Sequence, residues 1–214
     1  MLNRKSIIIV YLFLVLLLLS SCFERTEKKI YQTLEDVVKL EEGFKKEQEP
    51  LIKLEEEEKA IYDKIIDTGF KEREKINKLA DKAIDLSNQR LEHLDLERES
   101  IIKAEKKFIT IKKLINRIDD KDMKVEAENL YDLMANRYKV HEQLYKKYSD
   151  GIKSDQKLYH AFKDDETTLS ELEKSISEIN NNYEQVYQLN EEFNKLTNNY
   201  NEAKLKFYKN VGIS

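Results

Sequence analysis

The clearest chemistry in the sequence belongs to its single cysteine, Cys22, which follows Leu19, Ser20 and Ser21 at the end of an apolar run. A thiol at that place can be alkylated, and the small residues before it suit a peptidase that cuts between Ser21 and Cys22. The other reactive types form no constellation. His141-Glu142 does not continue to a second histidine one turn on, because Tyr145 stands there, so a zinc-protease helix fails. His141 instead falls in an apolar stripe and reads as a hydrogen-bonded core histidine. Four scattered glycines build neither a phosphate-cradling loop nor a nucleophile elbow. Glu55 to Glu58 spread around a helix rather than converge on one ion, and read as a solvated face. Asp164, Asp165 and Glu166 lack calcium-loop spacing and read as helix capping. The sequence therefore points to no enzyme, no metal and no cofactor.

Residues 1–21 have the layout of an export signal: Arg4 and Lys5, then Ile7 to Leu19 without a charge, then small residues. The run is shorter than the ~20 apolar residues of a membrane-spanning helix. Leu-Ser-Ser-Cys resembles the lipobox of bacterial lipoproteins, in which the cysteine receives a diacylglycerol and becomes the new N-terminus. Two acyl chains anchor durably where one is marginal, at ~0.8 kcal/mol per buried CH₂. The expected organisation is a signal peptide at 1–21, a lipidated tether at 22–25 and a helical domain at 26–214. The expected location is the outer, extracytoplasmic face of the cell membrane.

Tyrosine is the most abundant aromatic, with twelve copies and no tryptophan. Tyrosines stack on sugar rings, and a glycan groove along the third and fourth helices is one reading. Most share the spacing of the packed stripes, which favours rings buried at a bundle boundary with hydroxyls reaching outward. Tyr187 and Tyr208 fall off the stripe and are the candidates for exposure.

These residues must be positioned by long helices. One proline, four glycines and 37% charged residues in 214 argue against folds rich in tight turns. Apolar residues recur at steps of three and four, as in Ile101, Ala104, Phe108, Ile111, Ile115 and Ile118. A longer series, Ala127, Leu130, Met134, Tyr138, His141, Tyr145, Tyr148 and Ile152, crosses Gly151 in phase. Thr168 with Glu171 forms a capping box, Asp119 and Asp120 can cap, and Gly69 suits a helix C-terminus. Helices are predicted over 26–67, 70–118, 120–164 and 168–209, with a kink at Pro50. The fold class is all-α, an elongated up-and-down four-helix bundle resembling a coiled coil. The alternative, if Gly69 only bends a helix, is a three-helix bundle with one long bent helix. Arg90, Leu91, Leu94 and Arg98 come near the seam of the second helix, predicting a looser, wetter zone there.

Without Arg4 and Lys5 the chain carries 36 basic and 42 acidic residues, a net charge near −6 that disfavours nucleic acid. In the up-and-down order, Lys112, Lys113 and Arg117 lie at the membrane end, where anionic headgroups would attract them.

The segments LEEEEKAIYDKIIDTGF, ENLYDLMANRYKVHEQLYKKYSDGI and NEEFNKLTNNYNEAKLKFYKNVGIS, behind Leu-Ser-Ser-Cys, resemble the YkyA family of cell-wall-binding lipoproteins of Gram-positive bacteria. The resemblance covers essentially the whole chain. It implies a helical-bundle fold, attachment to the cell membrane through Cys22, and peptidoglycan or another wall polymer as partner. A coiled-coil accessory to an envelope enzyme is the competing expectation.

Overall fold

The computed structural model describes residues 26–69 and 72–212. The signal peptide, the tether, Ser21 and Cys22 lie outside the described residues. Among these residues six helices follow in order: α1 (Thr26–Leu40), α2 (Glu42–Thr68), α3 (Arg73–Phe108), α4 (Ile111–Ile115), α5 (Lys121–Lys163) and α6 (Leu169–Val211). They form four arms, with α1 running on into α2 and α3 into α4. The chain is an all-α, elongated bundle with no strand among the described residues.

Capping chemistry sets the turns. Gly69 ends α2 at φ +66°, a conformation open to glycine, so the four-arm reading holds over the alternative of one bent helix. The Asp120 carboxylate accepts from the Met123 N–H at 2.9 Å and starts α5. Thr168 and Glu171 exchange side chain and backbone bonds at the start of α6, the capping box read from the sequence. At this same tip Arg73 donates to the carbonyls of Phe162 at 3.1 Å and Lys163 at 3.0 Å. The orphan C-terminal carbonyls of α5 are thereby satisfied from the neighbouring arm.

Three boundaries differ from the sequence reading. The second arm begins at Arg73 rather than at residue 70, and it breaks at Ile109 and Thr110 before α4. Pro50 lies inside α2 without ending it, and the discontinuity of the first arm falls at Glu41. Its cause sits on another arm: the Ser100 hydroxyl donates to the Leu40 carbonyl at 2.6 Å and accepts from the Phe44 N–H at 3.0 Å. A side chain inserted into the helical ladder in this way opens it.

The apolar stripes build two large cores. At the base, Ile30, Leu34, Phe108, Ile115, Leu130 and Phe207 are buried together. At the tip, Ile61, Ile76, Ala80, Phe162 and Leu172 form the second core. Each large side chain so buried contributes ~1.5–3 kcal/mol. Between them lies only a small cluster of Leu51, Leu94 and Ile152. Gly151 lies inside α5, as expected, and packs closely: a Cβ there would come 3.2 Å from the Tyr183 ring.

Successive arms pack side by side, α2 on α3, α3 on α5 and α5 on α6. The first and fourth arms meet at the base, where the Tyr31 and Tyr208 rings touch edge to face at 4.7 Å. The Tyr208 hydroxyl donates to Glu35 at 2.9 Å, so this tyrosine is a packed bridge and not the exposed candidate it seemed from its register. Above the base, α2 and α6 part and leave a seam along the rod.

Candidate binding groove at the polar waist

The wet zone expected near Arg90 is a polar waist. Along α3 the inward phase runs Ala83, Ser87, Arg90, Leu94, Glu97, Ile101 and Ala104, so helical geometry forces two charged residues and a serine inside. Arg90 is only 4% exposed. Its guanidinium donates to Glu58 at 2.7 Å, Tyr183 at 3.0 Å, Asp155 at 3.3 Å and Glu55 at 3.4 Å. Ser87 adds a bond to Glu58 at 3.0 Å, and the Tyr183 hydroxyl donates to Asp155. Glu55 and Glu58 share one side of α2, so half of the four-glutamate run is an ion cluster rather than a solvated face. Burial pushes the Asp155 carboxyl up to about 6, reinforced by Glu58 and opposed by Tyr183 and Arg90. Burial also raises Glu55 above the usual carboxylate range.

Two further polar nodes lie toward the base. His141, buried as expected, meets Glu97 at 3.1 Å, and Gln48 donates to Glu97 at 2.6 Å. Arg137 donates to Glu41 at 2.7 Å and Thr197 at 2.8 Å, with its guanidinium 4.6 Å from the centre of the Phe193 ring. The pairing of Arg137 with Glu41 was missed from sequence. Its only trace was a charge between Met134 and Tyr138 on a buried stripe.

The seam opens over these nodes as a groove of about 610 Å³. One wall is the side of the first arm carrying Glu41, Lys45, Gln48, Ile52 and Glu55. The other is the side of α6 carrying Tyr187, Asn190, Asn194, Thr197, Asn201 and Lys204. Leu94, Met134, Tyr145 and Tyr148 line it between the walls. A second groove of about 570 Å³ shares Glu55 and Tyr183 and continues past Lys59 and Tyr62 to Ile176. Tyr187 is 61% exposed, as its register predicts. The Tyr200 hydroxyl is buried with no hydrogen-bond partner. The waist carboxylates converge on one guanidinium, and no group of histidine, cysteine and acidic residues suited to a metal occurs among the described residues.

The basic residues read as membrane-facing lie at the base. Lys112 and Lys113 are on α4 and Arg117 just beyond it, all three exposed. Lys112 is also held, with its ammonium 4.5 Å from the Tyr131 ring centre. No described helix is long and apolar enough to cross a membrane.

Fold and groove together define an all-α rod with an extended, partly polar cleft up one side. Residues 25–210 match the family model YkyA, described as "Putative cell-wall binding lipoprotein". The chain belongs to the YkyA family. A Bacillus subtilis (strain 168) protein named "Uncharacterized lipoprotein YkyA" is 32% identical over 197 residues, covering 92% of this chain and 88% of that one. A solved Staphylococcus aureus structure, titled a conserved protein of unknown function, is similar in fold at a TM-score of 0.73. It is 20% identical, with 85% of this chain and 93% of that one covered.

Proposed function

We propose that this chain is a non-enzymatic lipoprotein anchored through Cys22 to the outer face of the cell membrane, from which its helical rod reaches into the wall and binds it. The observation that carries this reading is the layout of the rod's base. Helix α1, described from Thr26, four residues after the lipobox cysteine, has that end at the pole where Lys112, Lys113 and Arg117 are exposed. A lipid at Cys22 would stand the rod on that pole, with α5 extending roughly 65 Å at 1.5 Å per residue. Tethering raises the local concentration of wall polymer, so weak contacts suffice. The family description supports wall association, and the locked waist carboxylates support a binding role over a catalytic one.

The test is fractionation followed by co-sedimentation. Mass spectrometry should find a diacylated Cys22 at the N-terminus, Cys22→Ala should release the chain from membranes, and the extracted lipoprotein should pellet with purified insoluble wall. A Cys22→Ala chain that stays equally membrane-bound ends the anchoring part, and a wild-type chain left in the supernatant ends the wall-binding part.

A second reading, an accessory to an envelope enzyme, is favoured by one feature of the tip. Ile66 and Leu169 are 50% and 61% exposed beside an apolar hollow lined by Ile65, Phe162 and Ile176. Recovery of one stoichiometric protein without wall material would support it.

A further inference from the structure

The two walls of the seam carry a pattern that a closed bundle would not. On α6 the residues facing it include Tyr187, Asn190, Asn194, Thr197, Asn201 and Lys204, spaced by threes and fours. On the first arm they include Glu41, Lys45, Gln48, Ile52 and Glu55, spaced the same way. Helical stripes with this period normally meet a partner helix through leucine and isoleucine. Here amides, hydroxyls and charges stand in many of those positions, with the aliphatic Val38, Leu51, Ile52 and Val186 among them. An apolar helix, from another protein or from a second copy of this chain, would leave these groups desolvated and unpaired.

The chemistry of the seam fits a different occupant. Tyrosine faces, asparagine and glutamine amides and hydroxyls are the groups that hold a polymer of hydroxyl-bearing and acetamido-bearing rings. Tyr187 offers an open ring face. Tyr200 offers a buried hydroxyl with no partner, a donor and acceptor that the fold leaves for something in the groove. The ionisable side chains bordering the first groove balance, with Glu41, Glu55 and Glu97 against Lys45, Arg137 and Lys204, and the second adds Glu58, Asp63 and Asp155 against Lys59 and Arg90, so the whole seam stays within one charge of neutral. A balanced lining favours a neutral chain over a polyphosphate such as an anionic wall polymer. The shape agrees with a polymer: from Ile176 to Lys204 along α6, the two connected grooves span roughly 40 Å at 1.5 Å per residue.

We propose that the seam between the first arm and α6 is a binding site for a neutral, N-acetylated glycan strand, with Tyr187 as its stacking platform and Asn190, Asn194 and Tyr200 as its polar contacts. This rests on the wall-binding reading and assigns it a site and a ligand class. The experiment uses the full lipoprotein in detergent and two probes: whole insoluble wall, and glycan strands freed of their stem peptides by an amidase. Calorimetric titration should show the free strands binding. Tyr187→Ala and Asn194→Leu should each weaken that binding at least tenfold, Tyr187→Trp should retain it, and Val125→Ala, at an exposed position off the seam, should leave it unchanged. Circular dichroism melts of all variants should match wild type, since both tested positions are exposed.

Whole wall bound while free strands are not would overturn the glycan assignment and leave wall binding standing. Strand binding that is indifferent to Tyr187→Ala and Asn194→Leu would overturn the site alone. Failure with both probes would overturn the proposal together with the reading beneath it.

Discussion

Ser100 on α3 packs against the bare Cα of Gly43 on α2, and its hydroxyl replaces one rung of the first arm's helix. The rung would run from the Phe44 N–H to the Leu40 carbonyl, and the Ser100 oxygen takes both ends. A Cβ on Gly43 would lie 2.9 Å from that oxygen, so glycine is what admits it. Gly43→Ala should destabilise the fold by about 1–3 kcal/mol through overpacking, despite alanine's better helix propensity. The double variant with Ser100→Ala should be less destabilised than the sum of the two single variants, by about 0.5–2 kcal/mol. Urea unfolding of the four proteins measures this, and strict additivity would mean that the two residues do not communicate.

Arg90 holds the waist together because Glu58, Asp155 and Glu55 converge on it. Removing a buried cation leaves its partners charged and unsolvated, at a cost near 3–5 kcal/mol. Arg90→Met should therefore lower stability by about that much at neutral pH, and by less at pH 5, where protonation relieves the orphaned acids. A loss under about 1 kcal/mol would place the cluster with exposed surface pairs.

Asp155 gives the rod a stability that rises on mild acidification. Its carboxyl titrates near 6 in the folded protein against an ordinary value of 3.8, so the folded chain binds the proton more tightly across that interval. Stability then falls as pH rises from about 4 through 6 and is regained as pH falls back. Glu55, also raised, acts in the same direction. Glu126 and Glu142 are held below the usual range, chiefly by hydrogen bonds from Lys206 and Arg98, and their contribution is lost on further acidification. The urea midpoint should thus rise from pH 7 to pH 5 and drop below about pH 4. Asp155→Asn should flatten the first limb, with an effect on the order of 1–3 kcal/mol. An unchanged slope in that variant would assign the behaviour elsewhere.

The parts of this fold that were legible in the sequence are those fixed by one helix at a time. The stripe Ile101, Ala104, Phe108, Ile111, Ile115 and Ile118 is buried throughout. Thr168 and Asp120 cap where their types predict. The break at Glu41 was not legible, because Ser100 lies on a different arm and nothing around Pro50 reports it. Glu55 and Glu58 were misread because four adjacent glutamates look like an averaged polar face. Only the position of Arg90 across the interface selects the two that share a side. The seam was hidden for a related reason: the Asn190, Asn194 and Asn201 series resembles any solvated helix face until the first arm is seen to leave it uncovered. Tyr187 was the exception, since its departure from the stripe already marked it as exposed.

The base of the rod should bind anionic membrane even without its lipid. Lys113 and Arg117 are exposed there, and each basic residue close to a negatively charged surface contributes ~1 kcal/mol. Lys112 is a less clean probe, because its ammonium also rests on the Tyr131 ring and reversal would disturb the base core. The test therefore reverses Lys113 and Arg117 to glutamate and changes Lys112 only to glutamine, all in the Cys22→Ala chain. Flotation with vesicles containing a third phosphatidylglycerol should show binding reduced tenfold or more by these changes. Binding of the parent should also collapse at high salt, since the Debye length shrinks to roughly 3 Å at 1 M. Vesicle binding that survives both the charge changes and the salt would mean that another surface meets the membrane, and the rod would then have to lie down or stand on its other end.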